Sequence, residues 1–249
     1  MKREQGHHLL KRLGKTKLRP GGVTATNWLL DKISFHKDLK ILEVACNEGA
    51  NLIRFAKEHG TMNYGIDLNE DWLKNGVKRV QEENLEDRVI LQVGNATALP
   101  FEDNSFDVVL NEAMLTMLNQ ADKEAAVREY YRVLKPGGLL LTHDVRQVKE
   151  DMEQVKKLQQ VLNVQALPLT LNGWVDLVGD AGFKNVEYKS DEMTLLSEEG
   201  LAIDEGIEGK QKILENAMKD ENKEQFFEMM DFFAKTIDNL YYIAVKAQK

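Results

Sequence analysis

Cysteine is almost missing from this chain of 249 residues: Cys46 stands alone, which excludes an internal disulfide and any zinc site made of several thiolates. Four prolines are too few to punctuate several units, and no low-complexity linker or internal repeat divides the sequence. One main domain with accessory elements is therefore expected. No apolar run is long enough to cross a bilayer, and the opening MKREQGHHLLKRLGK lacks the apolar centre of a signal peptide. A cytoplasmic location follows as the expectation. Positive charge is scarce as well. Lys and Arg number 33 against 41 Asp and Glu, a formal net charge of −8, which argues against a protein that holds nucleic acid through many phosphates. The five histidines are scattered; only His7 and His8 adjoin, with side chains expected to diverge on a helix, so no metal site is expected.

One stretch departs from the acidic balance. Lys2, Arg3, Lys11, Arg12, Lys15, Lys17 and Arg19 gather positive charge near the start of the chain. They read either as a field that steers an anionic substrate or a nucleic acid or, more simply, as a solvated helix face on a flexible arm. The arm ends in Leu18-Arg19-Pro20-Gly21-Gly22, a turn signal, and a helix over 24–35 follows with Trp28, Leu29 and Ile33 able to pack on the body.

What is present is an alternation of strands and helices. Leu39, Ile41, Leu42, Val44 and Ala45 form the short apolar run of a strand buried on both faces. Asn47, Glu48, Gly49 and Ala50 then make a turn, after which Leu52, Phe55, Ala56 and His59 recur at helical spacing. A second strand over 62–67 ends in Asp67, where a carboxylate at a strand's carboxyl end can accept hydrogen bonds from two ribose hydroxyls. The plainer role for Asp67 is a helix cap, because Asp67 and Asn69 both precede a helical segment over 69–84. A third strand over 88–93 runs into Gly94-Asn95-Ala96, a fourth spans 105–111, and a helix with a Pro-Gly-Gly turn leads to a fifth.

This order resembles the class I S-adenosylmethionine-dependent methyltransferases, and within them the small-molecule group that includes the ubiquinone and menaquinone enzymes. The residues that carry the resemblance are Leu99-Pro100-Phe101, Ser105-Phe106-Asp107 and Lys135-Pro136-Gly137-Gly138, over about 39–145; the segment 174–188 is similar to the family's last helix and sixth strand. The resemblance implies a Rossmann-like sheet of seven mostly parallel strands with helices on both faces. It also implies that Glu43 orients the first turn or meets the cofactor's amino group, that Asp67 holds the ribose and that Leu68 packs on the adenine. Asn95 and the Ala96 N–H would recognise the adenine edge, with Asn111 near the methionine end. The family's first turn usually alternates three glycines; here those positions are Ala45, Asn47 and Gly49. Ala45 is expected to cost little, and Asn47 must either tolerate a left-handed backbone or aim its amide at the cofactor. Cys46 reads as a small packing residue.

In this fold the segment ahead of the first strand often lies across the cofactor cleft, which makes Arg19 a candidate for a carboxylate of cofactor or substrate; a surface arginine beside a turn is the alternative. A neutral hydroxyl or amine acceptor also needs a base. Glu112, after the fourth strand, and His143 or Asp144, at the end of the fifth, are the candidates, although His143 reads equally well as a structural histidine and Glu112 as cleft lining.

Strands over 186–193 and 240–247 are separated by an insertion whose Ile203, Ile207, Ile213, Leu214, Ala217 and Met218, then Phe226, Met230, Phe233 and Ile237, fall at helical spacing. The chain thus divides into an N-terminal helical arm (1–36), a methyltransferase domain (37–196 and 239–249) and a helical cap (197–238) that covers an apolar small molecule, packs as ordinary core or forms a homodimer contact. The expected activity is in-line methyl transfer from S-adenosylmethionine to a small-molecule acceptor, releasing S-adenosylhomocysteine without a metal. An RNA-directed enzyme, a non-catalytic S-adenosylmethionine sensor and a dinucleotide oxidoreductase are the alternatives. The segment Asn111-Glu112-Ala113-Met114 lacks the Asn-Pro-Pro-aromatic arrangement of enzymes that methylate amines of nucleic-acid bases.

Overall fold

The computed structural model describes residues 3–249, so Lys2 of the basic stretch lies outside the described residues. Five parallel strands form its centre: β1 (Lys40–Val44), β2 (Met62–Asp67), β3 (Val89–Val93), β4 (Phe106–Glu112) and β5 (Leu134–Gln147). The late strands β7 (Lys184–Glu192) and β8 (Leu240–Gln248) extend it in the order β3-β2-β1-β4-β5-β8-β7, with β8 antiparallel to both neighbours. A two-residue strand, β6 (Leu169–Thr170), pairs with Arg146 and Gln147 beside this row, so the seven expected strands are joined by a minor eighth. The Pro136-Gly137-Gly138 turn is absorbed into β5 as an irregularity: the register to β4 slips between Phe106↔Leu134 and Val108↔Leu139, with Gly137 in the left-handed region at φ 81°.

The period of two along the strands sorts the core into two layers. Leu42, Val44 and Val109 join a cluster with α5 (Gln120–Val133) and α7 (Leu171–Asp180), where Tyr130 and Trp174 are fully buried. Ile41, Val108 and Leu110 join the opposite cluster with α2 (Gly22–Leu30), α3 (Ala50–His59) and α4 (Glu70–Glu82). The helix expected over 24–35 is thus shorter and earlier; turns follow it from Asp31. Asn69 caps α4 by accepting from the Asp71 and Trp72 N–H groups, so the capping role falls to Asn69 and leaves Asp67 to face elsewhere.

A third core lies beyond the sheet. Leu9, Leu10 and Leu13 of α1 (Gly6–Leu13) pack with Leu158 and Val161 of α6 (Met152–Leu162), Ile213 and Ala217 of α8 (Glu198–Ala217), and Phe226, Met229 and Phe232 of α9 (Asp220–Lys235). Burying side chains of this size contributes about 1.5–3 kcal/mol each. The basic arm is accordingly not a free solvated helix. Arg3 pairs with Glu228, Lys11 with Glu48, Arg12 with Glu4, Lys15 with Asp204, Lys17 with Glu205 and Arg19 with Glu112. Lys15 and Asp204 are both fully buried at 2.9 Å, and Asp204 also accepts from the Val23 N–H. Among the described residues, no helix is long and apolar enough to cross a membrane.

Candidate active site

The parallel strands bring the carboxyl ends of β1, β2, β4 and β5 to one edge of the sheet, and a cavity of about 330 Å³ opens there. Its floor is the turn after β1. Ala45, Asn47 and Gly49 adopt φ of 59°, 58° and 70°, so the chain takes the left-handed path that three glycines would allow, with a Cβ at two of the three positions. Asn47 tolerates this conformation; Ala45, expected to cost little, sits where an L side chain is disfavoured by about 1–2 kcal/mol. Ala113, after β4, repeats the feature at φ 57° and lines the same cavity. The floor is closed from below by Gly76 of α4, where a Cβ would stand 2.7 Å from the Glu48 carbonyl oxygen.

Asp67 is held in this floor by two backbone donors. Asn47 N–H donates to its Oδ2 at 2.9 Å and Asn69 N–H to its Oδ1 at 2.8 Å, and the carboxylate borders the cavity. Beside it Leu68 is 70% exposed, an apolar side chain without protein cover at the cavity wall. Asn95 and Ala96 also line the cavity. Asn95 Oδ1 accepts from Thr97 N–H and Thr97 Oγ1 at 3.0 and 3.1 Å, which leaves its Nδ2 donor group for a ligand.

Glu43, Asn111, Arg19 and His143 stand behind this wall and, like Gly49 at the end of the turn, do not border the cavity. Asn111 is fully buried, its Nδ2 donating to the Val44 carbonyl and its Oδ1 unpartnered. Glu43, Arg19 and His143 instead meet Glu112 in one buried network. Asn51 Nδ2 donates to Glu43 Oε1 at 2.7 Å and to Glu112 Oε2 at 3.2 Å; Arg19 Nη1 lies 3.1 Å from Glu112 Oε2 and donates to Thr26 Oγ1 at 2.7 Å. Gly21 N–H donates to His143 Nε2 at 2.9 Å, so the other ring nitrogen donates to Glu112 Oε1 at 3.2 Å.

This network polarises its two glutamates. Burial, reinforced by the nearby Glu112 charge, pushes the Glu43 carboxyl up to about 8, so it is largely protonated at neutral pH. Glu112 is also buried, but Arg19, His143 and Thr26 hold its carboxyl down at about 2. An acid so stabilised is a poor base, and His143, with both nitrogens engaged, has no lone pair to offer an acceptor. Of the sequence candidates, Glu112 and Asp144 border the cavity; Asp144 accepts from the Thr116 and Val145 N–H groups at 3.1 and 3.0 Å, and burial pushes its carboxyl up. Burial also raises the Cys46 thiol, which keeps it protonated and inert.

The roof comes from the helical core. Leu10, Leu158, Leu162, Met229 and Phe233 line it, together with Met193 and Leu195 from the chain after β7. His7 and His8 do not diverge: their rings lie 4.3 Å apart and both meet Trp72, over which Lys11 Nζ stands at 4.5 Å. Lys11 also reaches Glu48 at 2.9 Å and Asn47 at 3.3 Å, so α1 is fastened across the turn after β1. His7, Trp72 and the α6 residues Leu158 and Leu162 line the cavity without a motif in the sequence that marks them as site residues. The only signal was the leucine spacing in 9–13 and the apolar spacing in 155–162, neither of which names a partner.

A family model described as a methyltransferase domain matches residues 41–138. An uncharacterized protein of Haemophilus influenzae is 49% identical over 249 residues, covering 100% of this chain and 99% of its own length. The ubiquinone/menaquinone biosynthesis C-methyltransferase UbiE of Shewanella woodyi is 30% identical over 176 residues, 60% of this chain and 68% of that enzyme. Among solved structures, phosphoethanolamine N-methyltransferase 2 of Haemonchus contortus, in complex with phosphomonomethylethanolamine and S-adenosylhomocysteine, matches with a TM-score of 0.77 at 22% identity. The match covers 98% of this chain and 57% of that one, and at this identity the likeness is one of fold.

Proposed function

The chain belongs to the class I S-adenosylmethionine-dependent methyltransferases, and on that premise we propose that it transfers a methyl group to a small-molecule acceptor. The observation that carries the proposal is Asp67. Its carboxylate is fixed by the Asn47 and Asn69 N–H groups at the cavity edge, at the end of β2, with remaining lone pairs for the two hydroxyls of a ribose. The donor set fits the cofactor in other respects: exposed Leu68 offers an apolar face for the adenine, and Asn95 Nδ2 and the Ala96 N–H offer donors for its ring nitrogens. The turn of Ala45, Asn47 and Gly49 would bring backbone close to the methionine portion, with Glu43, Asn111 and Arg19 supporting that turn and the neighbouring Glu112 from behind.

S-adenosylmethionine, when bound, supplies an electrophilic methyl on a sulfonium sulfur. The protein's share would be position and dryness: the α1, α6 and α9 roof would shield the reacting atoms from water, and the cavity would hold an acceptor at the carboxyl ends of β4 and β5. Glu112 contributes fixed negative charge, and His143, hydrogen-bonded to it, holds its orientation.

Isothermal titration with S-adenosylmethionine, S-adenosylhomocysteine and NADH tests the reading. Micromolar binding of the first two, none of NADH, and a loss of roughly 100-fold or more in Asp67→Ala are expected, since two charge-assisted hydrogen bonds disappear. No binding of either S-adenosyl compound would sink it. A second reading, cofactor binding without turnover, draws on Glu112 and His143 being fully engaged with Arg19, Asn51, Thr26 and Gly21; tight S-adenosylmethionine binding with no product across an acceptor panel would favour it.

A further inference from the structure

The two ends of the cavity differ in chemistry. Beyond the floor, its walls are Leu10, Leu158, Leu162, Met193, Met229 and Phe233, and where this apolar end meets the sheet the ionisable groups are Glu112 and Asp144. The counter-charge of Glu112 is Arg19, which reaches it from behind the wall at 3.1 Å and does not border the cavity. Among the described residues no lysine or arginine lines this space. Two lysines on neighbouring elements are engaged elsewhere: Lys11 on Glu48 and Trp72, and Lys123 on the Leu118 carbonyl oxygen, with Asp144 as its nearby negative charge. His7, the other nitrogen base on the wall, is kept neutral by its burial and by the neighbouring His8, with its pKa lowered to about 4.

We propose, resting on the methyltransferase reading above, that the acceptor is an apolar molecule free of phosphate and carboxylate groups, and that it offers a hydrogen-bond donor to Asp144. Each Asp144 oxygen takes one backbone N–H, from Thr116 or from Val145, and retains a further lone pair. Thr116 lies in the short turn Leu115–Met117, and this turn borders the cavity beside Asp144. An acceptor hydroxyl or N–H seated there has its apolar body against methionine and leucine side chains that adapt to its outline. A phosphate at the same place meets the Glu112 carboxylate and the buried Asp144 across a wall that offers it no cation, and an anion desolvated beside a like charge without a counter-ion is disfavoured.

The test is titration of the full chain, saturated with S-adenosylhomocysteine, with 2-naphthol and with 2-naphthyl phosphate. The two probes share one apolar body and differ in charge. Binding of 2-naphthol, with the phosphate weaker by about 100-fold or more, is the expected result. Phe233→Lys, at a half-buried roof position, should narrow that ratio by giving the phosphate a cation, with thermal melting checking that the variant folds. Asp144→Asn should narrow it from the other side and weaken 2-naphthol. Equal or tighter binding of the phosphate, or no binding of 2-naphthol, overturns the proposal while the methyltransferase reading stands. Failure of S-adenosylhomocysteine to bind removes that reading and this one with it.

Discussion

The floor of the cavity is made of backbone in uncommon conformations, at Ala45, Asn47 and Ala113, whereas its roof is made of side chains on helices gathered from both ends of the chain. The floor stores strain, about 1–2 kcal/mol at each alanine, and the buried sheet beneath it keeps the turn in place. In the roof, shape comes from packing of Leu10, Phe226 and Met229 and from ion pairs such as Lys15 with Asp204. The difference separates fixed recognition from adaptable recognition. Hydrogen-bond donors and acceptors on a strained, well-supported turn suit one invariant ligand; leucine and methionine side chains suit a partner that varies in outline.

The sharpest way to break the roof is Lys15→Ala. It strands Asp204 without its buried counter-charge, and a loss of about 3–5 kcal/mol in urea unfolding is expected. If floor and roof are independent, affinity for S-adenosylhomocysteine in the folded variant stays within about threefold of the parent. A larger loss would show that the clamp on residues 15–23 also sets the floor.

A smaller effect comes from the network behind the wall. Glu43 has its folded pKa raised to about 8, so folding takes up a proton between the ordinary carboxylate range and pH 8. Its contribution to stability is therefore complete at low pH and fades as pH rises through about 8. Glu43→Gln, neutral at every pH, should flatten the decline in melting temperature between the ordinary carboxylate range and about pH 8. Glu112 has the opposite sign: its folded pKa of about 2 gives stability above the ordinary carboxylate range that is lost as pH falls toward about 2. A parent and a Glu43→Gln variant with superimposable profiles would count against a protonated Glu43.

The smallest expected change tests the strain itself. Ala45→Gly relieves a left-handed alanine at φ 59° and should gain about 1 kcal/mol after glycine's extra entropy is counted, or roughly 2–4 °C in melting temperature. A loss of stability would mean that the Ala45 methyl group contributes more packing than its conformation costs.

Much of the floor was legible before any coordinates. The apolar run of β1, the turn after it and the acid at the end of β2 are local patterns that single out Asp67, while the family resemblance implied Leu68 and Asn95; all three border one cavity. The lines that were not legible are those where a residue's partner is remote. Nothing near Glu112 in sequence indicates that Arg19 and Thr26 lower its pKa, and nothing near His143 indicates that the Gly21 N–H occupies its Nε2. The positive φ of Ala45 was hidden for another reason: alanine carries no signature of the left-handed region, whereas Asn47 does.

By itself the sequence determined the alternation of strands and helices, the two-layered core and the acid poised at the end of β2, because these follow from periodicity and short-range turn chemistry. Tertiary structure alone decided that α1 and α6 join the late helices in one roof, that Arg3, Lys11, Lys15, Lys17 and Arg19 answer acids elsewhere in the chain, and that two neighbouring glutamates sit on opposite sides of neutrality. The physical reason is that packing, desolvation and Coulomb energy depend on distance in space, and the residues that supply them here lie up to about two hundred positions apart, as Lys15 and Asp204 do at a separation of 189.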